Sequence, residues 1–248
     1  MDHQIVGNTL ADSEIGVILP TYGEAANIGR LIDDIECLNL NPTILVIDDS
    51  SPDGTAEIVL EKQKKHPNVL LYSRPKKSGL GTAITDGFRF FLAEDNPPKY
   101  VFTMDADYSH DPQDLPKLLA VIKECECGIV IGSRYSKGGQ IEGWPLSRKI
   151  ISKTANAIAR ASLGLELNDC TAGYRCYSTA FLREVIGNLH STTYEIQIET
   201  VRQASLRHFQ VKETPVLFVN RKQGNSKLTW TEIKSFLSYT FRAVWRSD

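Results

Sequence analysis

The sequence lacks any apolar run that approaches the ~20 residues a membrane-spanning helix needs. Its amino terminus, Met1-Asp2-His3-Gln4, also lacks a basic region followed by an apolar core, which argues against a secretory signal. Neither sign of charge dominates, because the formal net charge is −2, and this argues against a general nucleic-acid-binding protein. We therefore predict a cytoplasmic protein with no nucleic-acid partner.

Cysteine is scarce and is not arranged as a metal site. Five cysteines show no spacing of a four-ligand zinc site, and their odd number suits a reducing compartment. We expect ordinary thiols, including at Cys125 and Cys127, which flank one glutamate. The remaining composition, 42% hydrophobic and 23% charged, is that of a folded globular chain, and 248 residues suffice for one large α/β domain.

What the chain does contain is a regular alternation of apolar strands and amphipathic helices. Strands without polar alternation, as expected when both faces are buried, are predicted at 15–19, 43–47, 69–72, 100–104 and 128–132. A helix is predicted after the first strand because four isoleucine and leucine residues recur at helical spacing: Ile28, Leu31, Ile32 and Ile35. Five such alternations predict a mostly parallel, Rossmann-like α/β sheet with helices on both faces.

The strand at 100–104 ends in two carboxylates, Asp105 and Asp107, separated by one residue. Ligands bind beyond the carboxyl ends of the strands in open α/β sheets, so these side chains are predicted to face a crevice. Hard oxygen ligands paired this closely suit Mg²⁺ or Mn²⁺ shared with substrate phosphates. The alternative is that both residues open a loop, with 109–112 completing a turn.

Polar residues follow the other strands at the same edge of the sheet. Asp49 follows the second strand and is a candidate hydrogen-bond acceptor for a nucleobase or ribose. Arg134, Arg221 and Lys227 are candidate phosphate ligands, although the last two also suit a solvated basic loop. The segment around Gly79 has neither P-loop nor dinucleotide-binding spacing, so a phosphate-adjacent loop and a tight helix entry both stay open.

Five motifs occur in a fixed order along the chain. They are Pro20-Thr21-Tyr22-Gly23-Glu24, Asp48-Asp49-Ser50-Ser51-Pro52-Asp53-Gly54-Thr55, Asp105-Ala106-Asp107-Tyr108-Ser109-His110, Gly132-Ser133-Arg134-Tyr135 and Arg221-x-x-Gly224-x-Ser226-Lys227. Together they resemble dolichyl-phosphate (polyprenol-phosphate) mannosyltransferases, which are inverting family 2 glycosyltransferases with the GT-A fold. The resemblance covers nearly the whole chain, and five ordered motifs are specific where one alone is not.

The resemblance implies a role for each matching residue. The nucleotide sugar would contact Pro20, Tyr22, Glu24, Ile47, Asp49, Asp105, Ala106, Asp107, Arg134, Arg221 and Lys227. The metal, Mg²⁺ or Mn²⁺, would be held by Asp105, Asp107 and Ser109. Catalysis would depend on Asp105, Asp107, Arg134, Arg221 and Lys227, with the basic residues binding phosphate. Gly23 stands where the family usually has Asn, and Ser51 stands near a common Gly, so a residue tolerant of positive φ is removed there.

The implied reaction is the transfer of mannose from GDP-mannose to a dolichyl or polyprenyl phosphate, with inversion. A phosphate acceptor is already an anion near neutral pH, so it needs no general base. One alternative is glucosyl transfer from UDP-glucose to polyprenyl phosphate. Transfer to a hydroxyl is another, and it would need a carboxylate base such as Asp169, Glu195 or Glu199. A non-catalytic nucleotide-sugar-binding protein and a metal-dependent nucleotidyltransferase are the remaining readings.

Residues 1–228 are predicted to form the catalytic domain and 229–248 a C-terminal amphipathic helix. Thr229 and Glu232 form a capping box, and an apolar stripe follows at helical spacing. We expect this helix to lie in a membrane interface or to dock on a small membrane subunit, whereas the alternative is packing on the domain core. The expected location is therefore peripheral, at the cytoplasmic face of a membrane.

Overall fold

The structure is a computed structural model that describes residues 4–7, 13–164 and 166–220. Arg221, Lys227 and the predicted helix at 229–248 lie outside the described residues, so the predictions made for them stay predictions.

The described chain contains ten strands and seven α-helices in an alternating order. The strands are β1 Gln4–Val6, β2 Ile15–Thr21, β3 Thr43–Asp48, β4 Val69–Ser73, β5 Tyr100–Thr103, β6 Ile129–Ser133, β7 Gln140–Glu142, β8 Arg175–Ser178, β9 Val211–Pro215 and β10 Leu217–Val219. The helices are α1 Ala25–Glu36, α2 Thr55–Lys65, α3 Leu80–Ala93, α4 Leu115–Cys125, α5 Leu146–Leu163, α6 Thr179–Val185 and α7 Ile196–Leu206. Short 3₁₀ turns lie at Pro112–Asp114 and Ile186–Asn188.

Eight of these strands form one sheet in the order β1-β4-β3-β2-β5-β8-β6-β9. Strands β2, β3, β4 and β5 are parallel neighbours, and β6 pairs in parallel with β9. Strand β8 runs antiparallel between β5 and β6, and β1 is antiparallel at one edge. The predicted mostly parallel sheet is confirmed. The insertion of β8 was not foreseen, because a four-residue strand carries no signal for the neighbours it will pair with.

Apolar side chains fill both faces of the sheet, which explains why its strands show no polar alternation. In β2, Val17 and Leu19 join a cluster with α1 and α4, whereas Ile18 points to the opposite cluster with α3, α6 and α7. The four predicted core residues of α1 are all fully buried. Burying a side chain of that size contributes about 1.5–3 kcal/mol, so these contacts hold α1 firmly on the sheet.

The expectation of ordinary thiols is wrong at Cys125 and Cys127, which the structure joins in a disulfide. Helix α4 ends at Cys125, and Glu126 adopts a left-handed φ of 51°, so the chain reverses and brings the two sulfurs together. Cys37, Cys170 and Cys176 are free, and the last two are buried. Among the described residues, no helix combines the length and apolarity needed to cross a membrane.

Candidate active site

A cleft opens at the carboxyl edge of the sheet, where the parallel strands β2, β3 and β5 end. Because neighbouring parallel strands end at the same edge, the residues that follow them converge there. The cleft is lined by Pro20, Thr21, Tyr22, Glu24, Ile47, Asp49, Lys77, Gly79, Leu80, Ala83, Asp105, Ala106, Asp107, Thr193 and Tyr194. Eight of the residues predicted to contact the nucleotide sugar are in this set. Arg134 is not in it.

Asp105 and Asp107, two of the cleft carboxylates, lie on a turn whose backbone contacts a histidine side chain. The backbone N–H of Asp105 donates to Nδ1 of His110 at 3.2 Å, and the imidazole stacks on Tyr174 with ring centroids 4.9 Å apart. Burial lowers the pKa of His110, despite the nearby carboxylates, so the ring is neutral with its proton on Nε2. Tyr108 adopts a left-handed φ of 59°, so the chain turns at this point. Asp105, Ala106 and Asp107, just before it, line the cleft.

The oxygen ligands available beside this turn suit a divalent cation. Asp107 is largely buried, and its Oδ1 accepts from the Ser109 backbone N–H at 3.0 Å, while the Asp105 side chain is 38% exposed. The Ser109 hydroxyl is buried and has no hydrogen-bond partner among the described residues, but Ser109 is not among the residues that line the cleft. The described chain holds no group of three or more His, Cys, Asp or Glu placed for a metal. Two carboxylates and a hydroxyl fit Mg²⁺ or Mn²⁺, which retain water and phosphate ligands.

Asp49 lines the cleft but is already held by a buried arginine. The Nε of Arg74 donates to Asp49 Oδ1 at 2.6 Å, and the backbone N–H of Ser78 donates to Oδ2 at 3.2 Å. Arg74 also donates to the carbonyl of Gly79 and to the Thr82 hydroxyl. Asp49 therefore anchors the segment between β4 and α3 as well as presenting an acceptor to the cleft.

The glycines of that segment are needed for close backbone contact. A Cβ at Gly79, whose φ is 101°, would lie 2.3 Å from the carbonyl oxygen of Thr192, and one at Gly81 would lie 2.4 Å from that of Ser191. This explains the tight helix entry at α3. Gly79 also lines the cleft. The tight helix entry is what the structure shows, and the phosphate-adjacent loop stays a prediction.

Lys77 is a cleft residue that the sequence analysis missed. Its Nζ lies 4.4 Å from the centroid of the Tyr22 ring, within the range of a cation–π contact. Thr193 and Tyr194, just before α7, were also missed as cleft residues. The only sequence signal for Lys77 was its place in a Gly-containing segment before a helix, which does not specify a contact with a residue 55 positions earlier.

The two departures from the family pattern contact each other. The backbone N–H of Gly23 donates to the Ser51 hydroxyl at 2.9 Å, and this hydroxyl donates to Asp48 Oδ1 at 2.5 Å. Ser51 is not among the residues with positive φ. The left-handed residue of this turn is Ser50, with a φ of 55°. The Ser51 hydroxyl thus joins the loop after β2 to the loop after β3. A glycine at position 51 could not make this link.

Arg134 belongs to a buried ion pair next to the cleft. Its guanidinium donates to both carboxylate oxygens of Asp169, at 2.7 and 2.8 Å, and its backbone N–H donates to Oδ2 at 3.0 Å. Burial raises the pKa of the Asp169 carboxyl, but the Arg134 charge outweighs it and holds the pKa below its ordinary value. The Asp105 carboxylate is among the charges that raise the pKa of Arg134. The Arg134–Asp169 ion pair therefore interacts electrostatically with Asp105.

A fully buried arginine, Arg175, positions the turn that carries Asp169. Its guanidinium donates to the carbonyls of Cys170 and Ala172 and, in α7, to the Gln197 carbonyl and the Thr200 hydroxyl, at 2.7–2.8 Å. Sequence analysis did not identify this role. Every residue has a backbone carbonyl that can accept a hydrogen bond, so no pattern in the sequence marks these partners of Arg175.

The three carboxylates suggested as general bases all serve as structural hydrogen-bond acceptors. Asp169 is bound by Arg134, as described above. Glu199 accepts from the backbone N–H groups of His190 and Ser191 at 2.9–3.1 Å, and Glu195 accepts from Thr192 N–H and the Thr193 hydroxyl. This arrangement disfavours transfer to a hydroxyl, which would need one of them as a base.

Known proteins match this chain in sequence over most of its length. The family model described as "Glycosyl transferase family 2" matches residues 16–186. The chain is 37% identical over 217 residues to an undecaprenyl-phosphate mannosyltransferase of Micrococcus luteus, covering 86% of each chain. It is 36% identical over 220 residues to a polyprenol monophosphomannose synthase of Mycolicibacterium smegmatis, covering 88% of this chain and 82% of that one.

A solved structure with the same fold is glucosyl-3-phosphoglycerate synthase from Mycobacterium tuberculosis, in complex with Mn²⁺, UDP-glucose and phosphoglyceric acid. It is 20% identical, with a TM-score of 0.66, and the match covers 93% of this chain and 81% of that chain. The predicted GT-A fold is confirmed by this likeness, which at such identity speaks only for the fold.

Proposed function

Because the chain belongs to glycosyl transferase family 2, we propose that it transfers mannose from GDP-mannose to a dolichyl or polyprenyl phosphate, with inversion at the anomeric carbon. The product would be a polyprenyl-phosphate mannose available for glycan synthesis or protein glycosylation. The observation that carries the proposal is the cleft at the carboxyl edge, which holds Asp105 and Asp107 together with six further residues of the predicted donor site. The two bacterial relatives, named for mannosyl transfer to polyprenyl phosphates, support the choice of sugar and acceptor.

Asp105, Asp107 and Ser109 would hold a divalent cation, Mg²⁺ or Mn²⁺, with the diphosphate of the donor completing its ligands. The cation would supply Lewis-acid neutralisation of the departing nucleoside diphosphate. Tyr22, Glu24 and Asp49 would orient the nucleoside, and Lys77 over the Tyr22 ring would bring a positive charge to the same cleft. The turn held by His110 keeps both carboxylates in place, so the site is preorganised before the donor enters.

Arg134, Arg221 and Lys227 would bind and position the acceptor phosphate for in-line attack on the anomeric carbon. No residue has to remove a proton, because the attacking phosphate oxygen is already anionic. Asp169, Glu195 and Glu199 all accept hydrogen bonds from other protein groups. This is consistent with a reaction that uses none of them as a base. Arg134 would act from within its pair with Asp169, whereas Arg221 and Lys227 would approach from the segment that follows Asn220.

The proposed organisation is a catalytic domain of residues 1–228 followed by an amphipathic helix at 229–248. The helix would lie in a membrane interface or dock on a small membrane subunit, which would make the protein peripheral at the cytoplasmic face of a membrane. Truncation after Lys227 tests this proposal. If the shortened chain folds and acts on long-chain lipid as well as the full chain does, the helix has no such role.

A panel of radiolabelled nucleotide sugars with a short polyprenyl phosphate tests the function directly. We expect organic-soluble product only from GDP-mannose, only with Mg²⁺ or Mn²⁺ present, and not from the Asp105→Ala variant. Product from UDP-glucose would select the glucosyl-transfer alternative. Donor binding without any turnover would indicate a non-catalytic nucleotide-sugar-binding protein. Transfer of the sugar to a polysaccharide hydroxyl would contradict the proposal that the acceptor is a polyprenyl phosphate.

A further inference from the structure

The carboxylate turn, residues 105–110, contains a backbone conformation that one of its side chains does not favour. Tyr108 has a left-handed φ of 59°. Asparagine and histidine, which occupy three of the six described non-glycine positions with positive φ, tolerate this region, whereas a large aromatic residue is strained there. Such strain persists only where the surrounding structure holds it, and it concentrates at functional sites. Tyr108 follows Asp107, which lines the cleft.

The left-handed residue lies between two hydrogen bonds that shape the turn. The Ser109 backbone N–H donates to Asp107 Oδ1 at 3.0 Å, and the Asp105 N–H donates to His110 Nδ1 at 3.2 Å. Both bonds depend on the reversal of the chain at Tyr108, and neither involves the Tyr108 side chain. The conformation of Tyr108 must therefore be held by contacts of its own.

Those contacts come from helix α1. The Tyr108 hydroxyl donates to Asp34 Oδ2 at 2.6 Å, and the central carbon of the Arg30 guanidinium lies 5.2 Å from the centroid of the Tyr108 ring. Arg30 Nε also lies 3.6 Å from Asp34 Oδ2. Hydrogen bonds to carboxylates are among the stronger ones in proteins, so this bond counteracts the backbone strain. Neither Tyr108 nor Asp34 is among the described residues that line the cleft.

Helix α1 gives this bond a rigid support. Leu31 and Ile35, within one turn of Asp34, are fully buried, and Tyr108 packs against the same apolar cluster. The helix begins directly after Glu24, which lines the cleft. A single helix thus connects the side of the cleft proposed for the nucleoside with the carboxylate turn.

We propose that Tyr108 and Asp34 are positioning residues for the cation site, because their hydrogen bond holds the carboxylate turn in its binding shape before a cation is present. The inference rests on the proposed function, in which Asp105 and Asp107 hold the cation. Two neighbouring carboxylates repel each other, so the turn needs an anchor outside the cleft. Without that anchor only a fraction of the molecules present the binding shape, and the apparent affinity for the cation falls by that fraction.

Hydrogen exchange of the full-length, metal-free protein tests the first part of the proposal. Mass spectrometry of peptides that cover residues 103–111 follows the exchange. Tyr108→Phe and Asp34→Ala should each raise exchange in this segment about 3- to 10-fold, because the N–H groups of Asp105 and Ser109 open more often.

Mn²⁺ titration tests the second part. The electron paramagnetic resonance signal of free Mn²⁺ measures binding to the full-length protein, alone and with GDP or UDP added. Tyr108→Phe and Asp34→Ala should each weaken Mn²⁺ binding roughly 3- to 10-fold. The double variant should be no worse than either single change, because both remove the same bond.

Matched variants separate positioning from general stability. Asp34→Asn keeps an oxygen that accepts from the Tyr108 hydroxyl, so it should retain most of the Mn²⁺ affinity and slow exchange. Asp33→Ala removes the neighbouring carboxylate, which is bound by Lys62 on α2, and it should lower thermal stability without changing Mn²⁺ affinity. Tyr100→Phe removes a tyrosine hydroxyl at the opposite end of β5 and should change neither measurement.

The outcomes distinguish this proposal from the proposed function. Unchanged Mn²⁺ affinity in Tyr108→Phe overturns the positioning role, and faster exchange with unchanged affinity would make the bond a structural contact only. If the unchanged protein binds no more Mn²⁺ than Asp105→Ala, the proposed metal site fails and this inference fails with it. If Mn²⁺ affinity depends on Tyr108 but no nucleotide sugar is turned over, only the proposed function fails.

Discussion

The cleft carboxylates and the Arg134–Asp169 ion pair are built in different ways. The cleft carboxylates, Asp105 and Asp107, follow directly from the end of β5 and remain accessible to a ligand. Asp169 and Arg134 are nearly buried, come from segments 35 residues apart, and satisfy each other with several hydrogen bonds. The first two carboxylates line the cleft, whereas the Asp169 carboxylate is held by the Arg134 guanidinium outside it. Changes at the first should therefore affect catalysis, and changes at the second should affect folding as well.

The largest effect is expected from Asp105→Ala and Asp107→Ala. Each should lower the rate of sugar transfer on the order of 10³- to 10⁴-fold, equivalent to roughly 4–5.5 kcal/mol of transition-state stabilisation, because the cation loses a ligand. Thermal unfolding should change little, since both residues lie beyond the strand. Initial rates with saturating donor and metal measure the effect, and Asp95→Ala, an exposed carboxylate elsewhere, is the matched control. Normal turnover with a chelator present would show that no metal is involved.

Removal of either member of the buried pair should reduce stability as well as activity. Arg134→Ala and Asp169→Ala each leave a buried charge unpaired, so we expect losses of about 3–5 kcal/mol in the free energy of unfolding. The double variant Arg134→Met/Asp169→Leu should lose clearly less than the sum of the single changes. Urea unfolding measures all three. Additive losses would mean that the two charges do not depend on each other.

The pH dependence of stability should report on the same pair. The pKa of Asp169 is lower in the folded protein than in the unfolded chain, so its contribution is present above the unfolded pKa of about 3.9 and is lost as the pH falls through the folded pKa. One proton contributes a slope of up to ~1.4 kcal/mol per pH unit in that acid range. We expect Asp169→Asn to flatten the acid limb of the stability curve. Asp95→Asn should leave that limb unchanged.

Lys77→Ala should have a smaller effect, confined to donor binding. A cation–π contact at a partly exposed site contributes about 0.5–1 kcal/mol, and with the loss of a positive charge in the cleft we expect donor affinity to fall roughly 3- to 10-fold. Titration calorimetry with the nucleoside diphosphate measures this. Lys76→Ala alters an exposed neighbour that does not line the cleft, and it should have no effect. A fall in unfolding temperature for Lys77→Ala alone would indicate a structural role instead.

The smallest effect is expected from Ser51→Gly. The change removes the hydroxyl that links Gly23 N–H to Asp48, a loss of about 1 kcal/mol in stability. Donor affinity should fall less than about fivefold, because the loop carrying Tyr22 and Glu24 loses one contact and keeps the Thr55 hydroxyl as acceptor of the Glu24 N–H. Chemical unfolding and donor titration together measure it. An increase in donor affinity would show that the serine holds the loop in a less favourable position.

Sequence alone determined the parallel half of the sheet and several residues of the cleft at its carboxyl edge. The strands β2 to β6 are apolar on both faces, and the rule that polar residues after parallel strands meet at one edge needs only their order along the chain. Asp49, Asp105 and Asp107 could therefore be assigned to one cleft from the sequence, whereas Ile47 was assigned only through the family resemblance. The five ordered motifs also identified the family.

Only the tertiary structure decided the surroundings of Arg134. Strand β8 enters the sheet antiparallel between β5 and β6, and this places the turn at 169–175 against both the Arg134 guanidinium and the carboxylate turn. The pairing of Arg134 with Asp169, the carbonyl partners of Arg175 and the contact of Lys77 with Tyr22 all join residues that are distant in sequence. Such contacts depend on which strand lies next to which, and a short strand fits several positions in a sheet equally well until the helices pack around it. The local sequence pattern specifies each helix or strand and where it ends. Which strands become neighbours in the sheet depends on how the whole domain buries its apolar surface.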